Sequence, residues 1–242
     1  MKKNKLAIGI LIFLIVGSTA FSQTTDTNQQ VGAPDPNAIG VDSAQQMLKE
    51  ISVSKFEDAG FWNVSISRDQ GLITARRFMG GPAEKKPIPG EAEAEIKEQD
   101  QFVLGLKVEY FGRGFKSIAL MPVRPLPIEG ICKTLSLWVV GRNFNHNLII
   151  MIEDQFGNRA DISMGKLNFS GWKKLTAAIP AYIKQRDYHF ANKMGIKIVG
   201  FRVETDPAES YGTYYVYFDD LRAVTDLFEE EVRDKDDMPD TW

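Results

Sequence analysis

The sequence predicts an all-β fold, a β-sandwich or jelly roll, with a short N-terminal helix and an acidic C-terminal tail that is partly helical or disordered. Three observations predict it. At least eight segments read as strands, turn signals recur every 8–15 residues, and no strand–helix–strand alternation interrupts them.

The first 22 residues read as a signal peptide and stand outside the fold. Lys2, Lys3 and Lys5 precede the apolar run Leu6–Val16, and Ala20-Phe21-Ser22 gives the small-x-small pattern expected before cleavage. The run is too short to span a bilayer comfortably, which takes about 20 apolar residues. No cysteine stands at the end of the run for a lipoprotein anchor; an uncleaved anchor is the lesser alternative, and no membrane anchor is expected after cleavage. Residues 23–41, polar with Pro34 and Pro36, read as a flexible arm.

A single β-sandwich domain is expected over 42–228. Asp42 caps an expected short helix over Ser43–Ile51, with Met47, Leu48 and Ile51 on one face. Short β segments follow at Val64–Arg68 and Leu72–Phe78. Residues 80–99, rich in Gly, Pro and Glu, read as a long surface loop. In Phe102–Tyr110, Leu104, Leu106 and Val108 share one face while Lys107 and Glu109 share the other, the period of a half-buried strand. Further strands are expected at Phe115–Pro122, Thr134–Gly141, Leu148–Glu153, Arg159–Met164, Leu175–Ile179, Lys197–Glu204 and Tyr214–Leu221. A corner is expected at Pro122–Pro127, and Gly157-Asn158 supplies the tight turn between two of the strands. Trp172, just before a strand, is expected to plug one end of the core. Tyr211–Phe218 is aromatic on both faces, so that strand is central or has a covered face. Asp226 is expected to cap a helical turn at the start of the tail, of which 229–242 is strongly acidic.

Composition excludes several function classes. The formal net charge is −3, and removal of the three leader lysines makes it more negative, so no nucleic-acid partner is expected. The single cysteine, Cys132, cannot form an internal disulfide and reads as a buried, inert thiol. His146, among asparagines in a turn-like stretch, and His189, between Tyr188 and Phe190, lie in different segments and read as turn or surface residues rather than ligands. No nucleophile elbow, phosphate loop or Cys-x-x-Cys is present. Asp219-Asp220 is the best carboxylate pair. Alternation along a strand sends the two to opposite faces, and pairing with Arg222 or Arg202 is favoured over a calcium site. Trp138, Trp172, Tyr215 and Tyr217 suit stacking on sugar, with a core or subunit-contact role preferred. No catalytic, cofactor or metal set emerges, so no enzyme and no cofactor are expected.

Longer motifs carry more. Arg124-Pro125-Leu126-Pro127, Lys133–Phe144, Met164–Leu175 with Ile179-Pro180, Gly195–Arg202, Asp206-Pro207 and Tyr211–Ala223 together resemble the spirochaete flagellar filament outer-layer (sheath) protein family, FlaA. The resemblance spans about Phe102–Phe228. It implies a galactose-binding-like jelly roll and a non-enzymatic protein of the periplasmic flagellum. Such a protein would coat the flagellin core beside other sheath proteins and copies of itself, and would influence filament stiffness, curvature and motility. On that reading the candidate interface residues are Arg142, Asn143, Phe144 and His146 in one turn and Trp172, Lys173 and Lys174 at one corner. The alternative is a periplasmic carbohydrate-binding module.

Overall fold

The period-two apolar pattern becomes twelve strands in the computed structural model, which describes residues 48–88, 100–186 and 195–227. Of two units, 1–31 and 32–242, all of these lie in the second. Sheet A contains β1 (Leu48–Ser54), β3 (Gly71–Met79), β4 (Phe102–Tyr110), β7 (Ile131–Arg142), β10 (Ser170–Ala178) and β12 (Thr213–Asp226). Sheet B contains β2 (Trp62–Ser65), β5 (Ser117–Pro122), β6 (Leu126–Ile128), β8 (Asn147–Glu153), β9 (Arg159–Lys166) and β11 (Ile196–Glu204).

Every pairing is antiparallel. Sheet A runs β10-β7-β12-β4-β3, and sheet B runs β2-β5-β11-β8-β9. β12 is the spine of sheet A. It lies against β7, while its other edge takes β4 along Thr213–Phe218 and β1 along Leu221–Asp226. β11 plays the same part in sheet B, taking β6 and then β5 on one edge.

The inward faces meet in one core. Leu104, Leu106, Leu135, Leu137, Val216 and Phe218 of sheet A face Ile118, Leu120, Leu148, Ile150, Ile198 and Phe201 of sheet B. Its centre is aromatic: Phe56 stacks on Trp62 with centroids 4.6 Å apart, and Phe201 stacks on Phe218 at 6.1 Å. Such pairs add about 0.5–1.5 kcal/mol each beyond the area they bury. The expected β-sandwich is therefore the observed fold, and β12 is central, as its two-faced aromatic pattern required.

Four local expectations are corrected. The helix expected through Ile51 is strand β1 over its described part. Its apolar spacing fitted a helix, but Ile51 and Val53 alternate onto the core when the segment pairs with the free edge of β12. The proline corner contains β6, because Leu126 and Ile128 can pair with β11 around Pro127. Asp226 is a strand residue opposite Leu48 and Ile131 rather than a helix cap. Trp172 lies inside β10 opposite Val140 and is half-buried, outside the core cluster, because β10 starts at Ser170. Cys132 is buried as expected, and burial pushes its thiol up to about 12. The leader, the arm, residues 89–99, His189 and the tail from Phe228 lie outside the described residues.

Candidate functional site

Residues paired laterally across a sheet project to the same face. On the outer face of sheet A one such row reads Trp172, Val140, Tyr217, Gly105 and Arg76, crossing all five strands of the main path. Four inter-strand steps of about 4.8 Å make the row about 19 Å wide. Beside it Tyr215 pairs with Lys107, and Lys107 with Thr74.

Aromatic side chains shape this face into a groove. Phe78 and Tyr217 meet edge to face over Gly105, with centroids 5.5 Å apart. A Cβ on Gly105 would lie 2.6 Å from Phe78 Cε2 and 2.7 Å from Tyr217 Cε1, so the glycine is what lets the two rings close over β4. The depression they line with Tyr215, Arg76, Lys107 and Thr74 encloses about 330 Å³. A second depression continues past Tyr215 and Tyr217 to Arg142 and Phe144. The Arg142 guanidinium sits 5.6 Å from the Tyr217 ring centroid, within cation–π range. Phe78 and Tyr215 are both more than 40 % exposed, 45 % and 41 %, which is unusual for rings in a sheet and leaves apolar surface open to a partner.

The far end of the same face is closed. Residues 80–88 fold across it, burying Pro82 and Ile88. Lys85 Nζ donates to Asp219 Oδ2 at 2.7 Å and also bonds Asp100. Arg222 Nε donates to Asp220 Oδ1 at 2.8 Å, and its Nη2 donates to the Lys86 carbonyl at 2.5 Å. Both aspartates are fully buried, yet both engage the same 85–86 segment, directly or through Arg222. The expected opposite-face arrangement is thus overturned. A bulge between Asp219 and Arg222 and a left-handed φ of 53° at Asp220 break the strand alternation there. The expected pairing with Arg222 is present for Asp220, whereas Arg202 instead bonds Asp161, 2.6 Å away. Burial pushes the Asp219 carboxyl up to about 6 against the opposing pull of Lys85. Among the described residues no group of three or more His, Cys, Asp or Glu is placed to hold a metal.

The residues named from sequence are divided by this geometry. Arg142, Trp172 and Lys174 share the outer face of sheet A, Lys174 lying opposite Trp138. Lys173 points the other way, opposite core Val139, with its ammonium 5.4 Å from the Phe169 ring centroid. Asn143, at φ 60°, turns the chain between β7 and β8, and Phe144 packs back onto the core.

His146 is not a surface residue. It is fully buried, 4.7 Å from the Tyr214 ring centroid and 5.2 Å from that of Phe144. Its Nδ1 accepts from the Asp206 amide at 3.2 Å, and burial lowers its basicity. The alternation Phe144-x-His146 leading into β8 was the available signal for this. Trp138 is buried too, which removes it from any open stacking surface. The sequence reading missed Phe78, Arg76 and Gly105. Nothing in their local pattern marks them, because the groove exists only once β3, β4 and β12 are adjacent.

Comparison with known proteins fits a filament component. A family model described as flagellar filament outer layer protein, FlaA, matches residues 21–234. The chain is 40 % identical over 190 residues to a flagellar filament outer layer-like protein of Brachyspira hyodysenteriae, covering 78 % of this chain and 85 % of that protein. It is also 30 % identical over 105 residues to the flagellar filament outer layer protein of Spirochaeta aurantia, covering 40 % of this chain and 31 % of that one. The corresponding protein of Treponema pallidum is 32 % identical over 105 residues, 40 % of this chain and 30 % of that one. Among solved structures, TmCBM61 in complex with β-1,4-galactotriose is 14 % identical, with 71 % of this chain and 90 % of that chain covered and a TM-score of 0.38. A family 11 carbohydrate-binding module of Clostridium thermocellum is 10 % identical, with 73 % and 95 % covered and a TM-score of 0.39. At that overlap no ligand is carried over from either. With residues 21–234 matched by one family model, the chain belongs to the flagellar filament outer layer protein family, FlaA.

Proposed function

We propose that this chain is a sheath subunit of a periplasmic flagellar filament. It is exported, loses residues 1–22, and is laid on the flagellin core beside other sheath proteins and copies of itself. The family match over 21–234 is the observation that carries the reading. The basic, apolar leader supports export to the periplasm. The open aromatic half of sheet A supports a protein that works by lateral contact rather than by chemistry. In a lattice, weak contacts repeat along the filament and their effect multiplies, so no single contact has to be tight. Fixed spacing between subunits would then resist bending and bias curvature, and so affect motility. Deletion of the gene followed by cryo-electron tomography of the filaments tests this. A thinner, less coiled filament is expected; normal diameter and coiling would sink the proposal.

The groove over Gly105 also favours a second reading, a carbohydrate-binding module, because open Tyr and Phe rings suit stacking on sugar. Calorimetric titration with oligosaccharides separates the two. Micromolar binding that Tyr217→Ala abolishes, with the circular dichroism spectrum unchanged, would favour the module.

A further inference from the structure

We infer that the groove on the outer face of sheet A receives the acidic segment Phe228–Trp242 of a second copy of this chain. The contact deepens the proposed function and rests on its claim that copies associate.

The groove has the chemistry for an acidic, partly apolar peptide. Arg76 and Arg142 flank it, and among the described residues neither sits in an ion pair. Lys107 is already matched by Glu109, 2.5 Å away, so the two arginines set the sign of the field. Between them lie the rings of Phe78, Tyr215 and Tyr217, which supply apolar surface at little conformational cost.

Residues 228–242 match in charge and kind. They carry seven acids against Arg233 and Lys235, and Val232, Met238 and Trp242 punctuate the acids. The acidic loop 89–99 is a poorer match: it carries four glutamates and has no aromatic residue.

The direction of β12 favours the neighbour's groove over the chain's own. Tyr215 and Tyr217 lie near the start of the strand, which then runs on to Asp226. At about 3.3 Å per residue, Leu227 leaves the sheet about 30 Å beyond Tyr217 and heading away from it. A segment returning in the same chain would spend most of its length on the reversal. Docking on the next copy needs no reversal. Unless two copies exchange tails reciprocally, it is a head-to-tail contact, and such contacts build rings or open arrays.

Charge swapping on the full chain tests the contact without any filament. Sedimentation velocity at low salt should show wild-type self-association that weakens as salt rises. Reversal of the groove (Arg76→Glu with Arg142→Glu) should weaken association about tenfold or more. Reversal of the segment (Glu229→Lys, Glu230→Lys, Asp236→Lys and Asp237→Lys) should do the same. Both sets on one chain should restore association to near the wild-type level. Should Arg142→Glu fail to fold by circular dichroism, Arg76→Glu alone carries the groove arm.

A wild-type chain monomeric at all accessible concentrations overturns the inference, and so does a double-reversal chain that recovers nothing. Cross-linking of 228–242 to the groove that is independent of concentration overturns it in favour of the chain's own groove. Loss of association on neutralising Glu91, Glu93 and Glu95, but not on reversing the tail, overturns it in favour of the loop. The deletion phenotype reads the sheath role separately, so the two can fail independently.

Discussion

Gly105→Ala separates the role of the groove from the stability of the fold. The new methyl would sit 2.6 Å from Phe78 Cε2 and 2.7 Å from Tyr217 Cε1, where ordinary contact begins at 3.4 Å. The rings must therefore retreat by about 0.8 and 0.7 Å. Phe78 is 45 % exposed and on an edge strand, so it can swing toward solvent instead of straining the backbone. The loss is the edge-to-face contact, about 0.5–1.5 kcal/mol. Against it stands the reduced backbone entropy of alanine in a strand, about 0.5–1 kcal/mol. The two nearly cancel, so urea unfolding followed by circular dichroism should show a change within about 1 kcal/mol. Self-association, read by sedimentation velocity, should nonetheless fall several-fold, because the groove loses its floor. A loss above about 3 kcal/mol would refute the reasoning, since the rings would then be locked from above. Unchanged association would refute it from the other side.

Other perturbations test the buried groups. Burial lowers the folded-state basicity of His146 below the ordinary 6.5, with Glu209 and Asp206 opposing. The stability it contributes is therefore full above about pH 6.5 and is lost as pH falls below that, because the unfolded chain takes a proton that the folded one refuses; His146→Gln should remove this slope from denaturation curves collected between pH 7 and 5. Asp219 works with the opposite sign: its folded-state value of about 6 exceeds the usual 3.8, so its contribution to stability rises as pH falls through 6 toward 4, and Asp219→Asn should abolish that rise. Phe201→Ala, at a fully buried ring touching Phe56, Trp62 and Phe218, should cost about 3–5 kcal/mol in chemical unfolding, with a much smaller loss marking a core that collapses into the gap.

The strand run from Phe102 to Glu204 was legible because its signal is local. Leu106, Val108 and Tyr110 alternate with exposed Lys107 and half-buried Glu109, and that is the burial pattern of the second half of β4, whereas Val103–Leu106 are buried on both faces. β1 was not legible, since Leu48 and Ile51 fit a helical spacing while Ile51 and Val53 fit a strand one. Only the free edge of β12, far along the chain, decides between them. The Asp219–Asp220 pair failed for a related reason. Alternation holds only in regular strand, and the bulge depends on how β7 and β1 share the second half of β12. The candidate interface residues divide between faces: Arg142, Trp172 and Lys174 share the outer face of sheet A, whereas His146 and Lys173, their neighbours in sequence, point elsewhere. Strand alternation separates neighbours in sequence as strictly as sheet pairing unites distant residues.

That bulge also explains why the open surface lies where it does. Before it, β12 pairs with β4 and presents Tyr215 exposed and Tyr217 half-buried on the outer face. At the bulge two buried aspartates hold 80–88 down through Lys85 and Arg222, and after it β12 pairs with β1. Removing either cation would leave a buried carboxylate without its partner, at a cost of several kcal/mol, so the strap is held firmly at one end of the face. On sheet B, by contrast, Arg202 pairs with both Asp161 and Glu204, and Lys197 pairs with Glu153. One irregularity in one strand thus divides the outer face of sheet A into a sealed half and an open half. On the proposed sheath role, the open half, with Phe78 and Tyr215 exposed, is a surface that a neighbouring subunit would reach without displacing the strap.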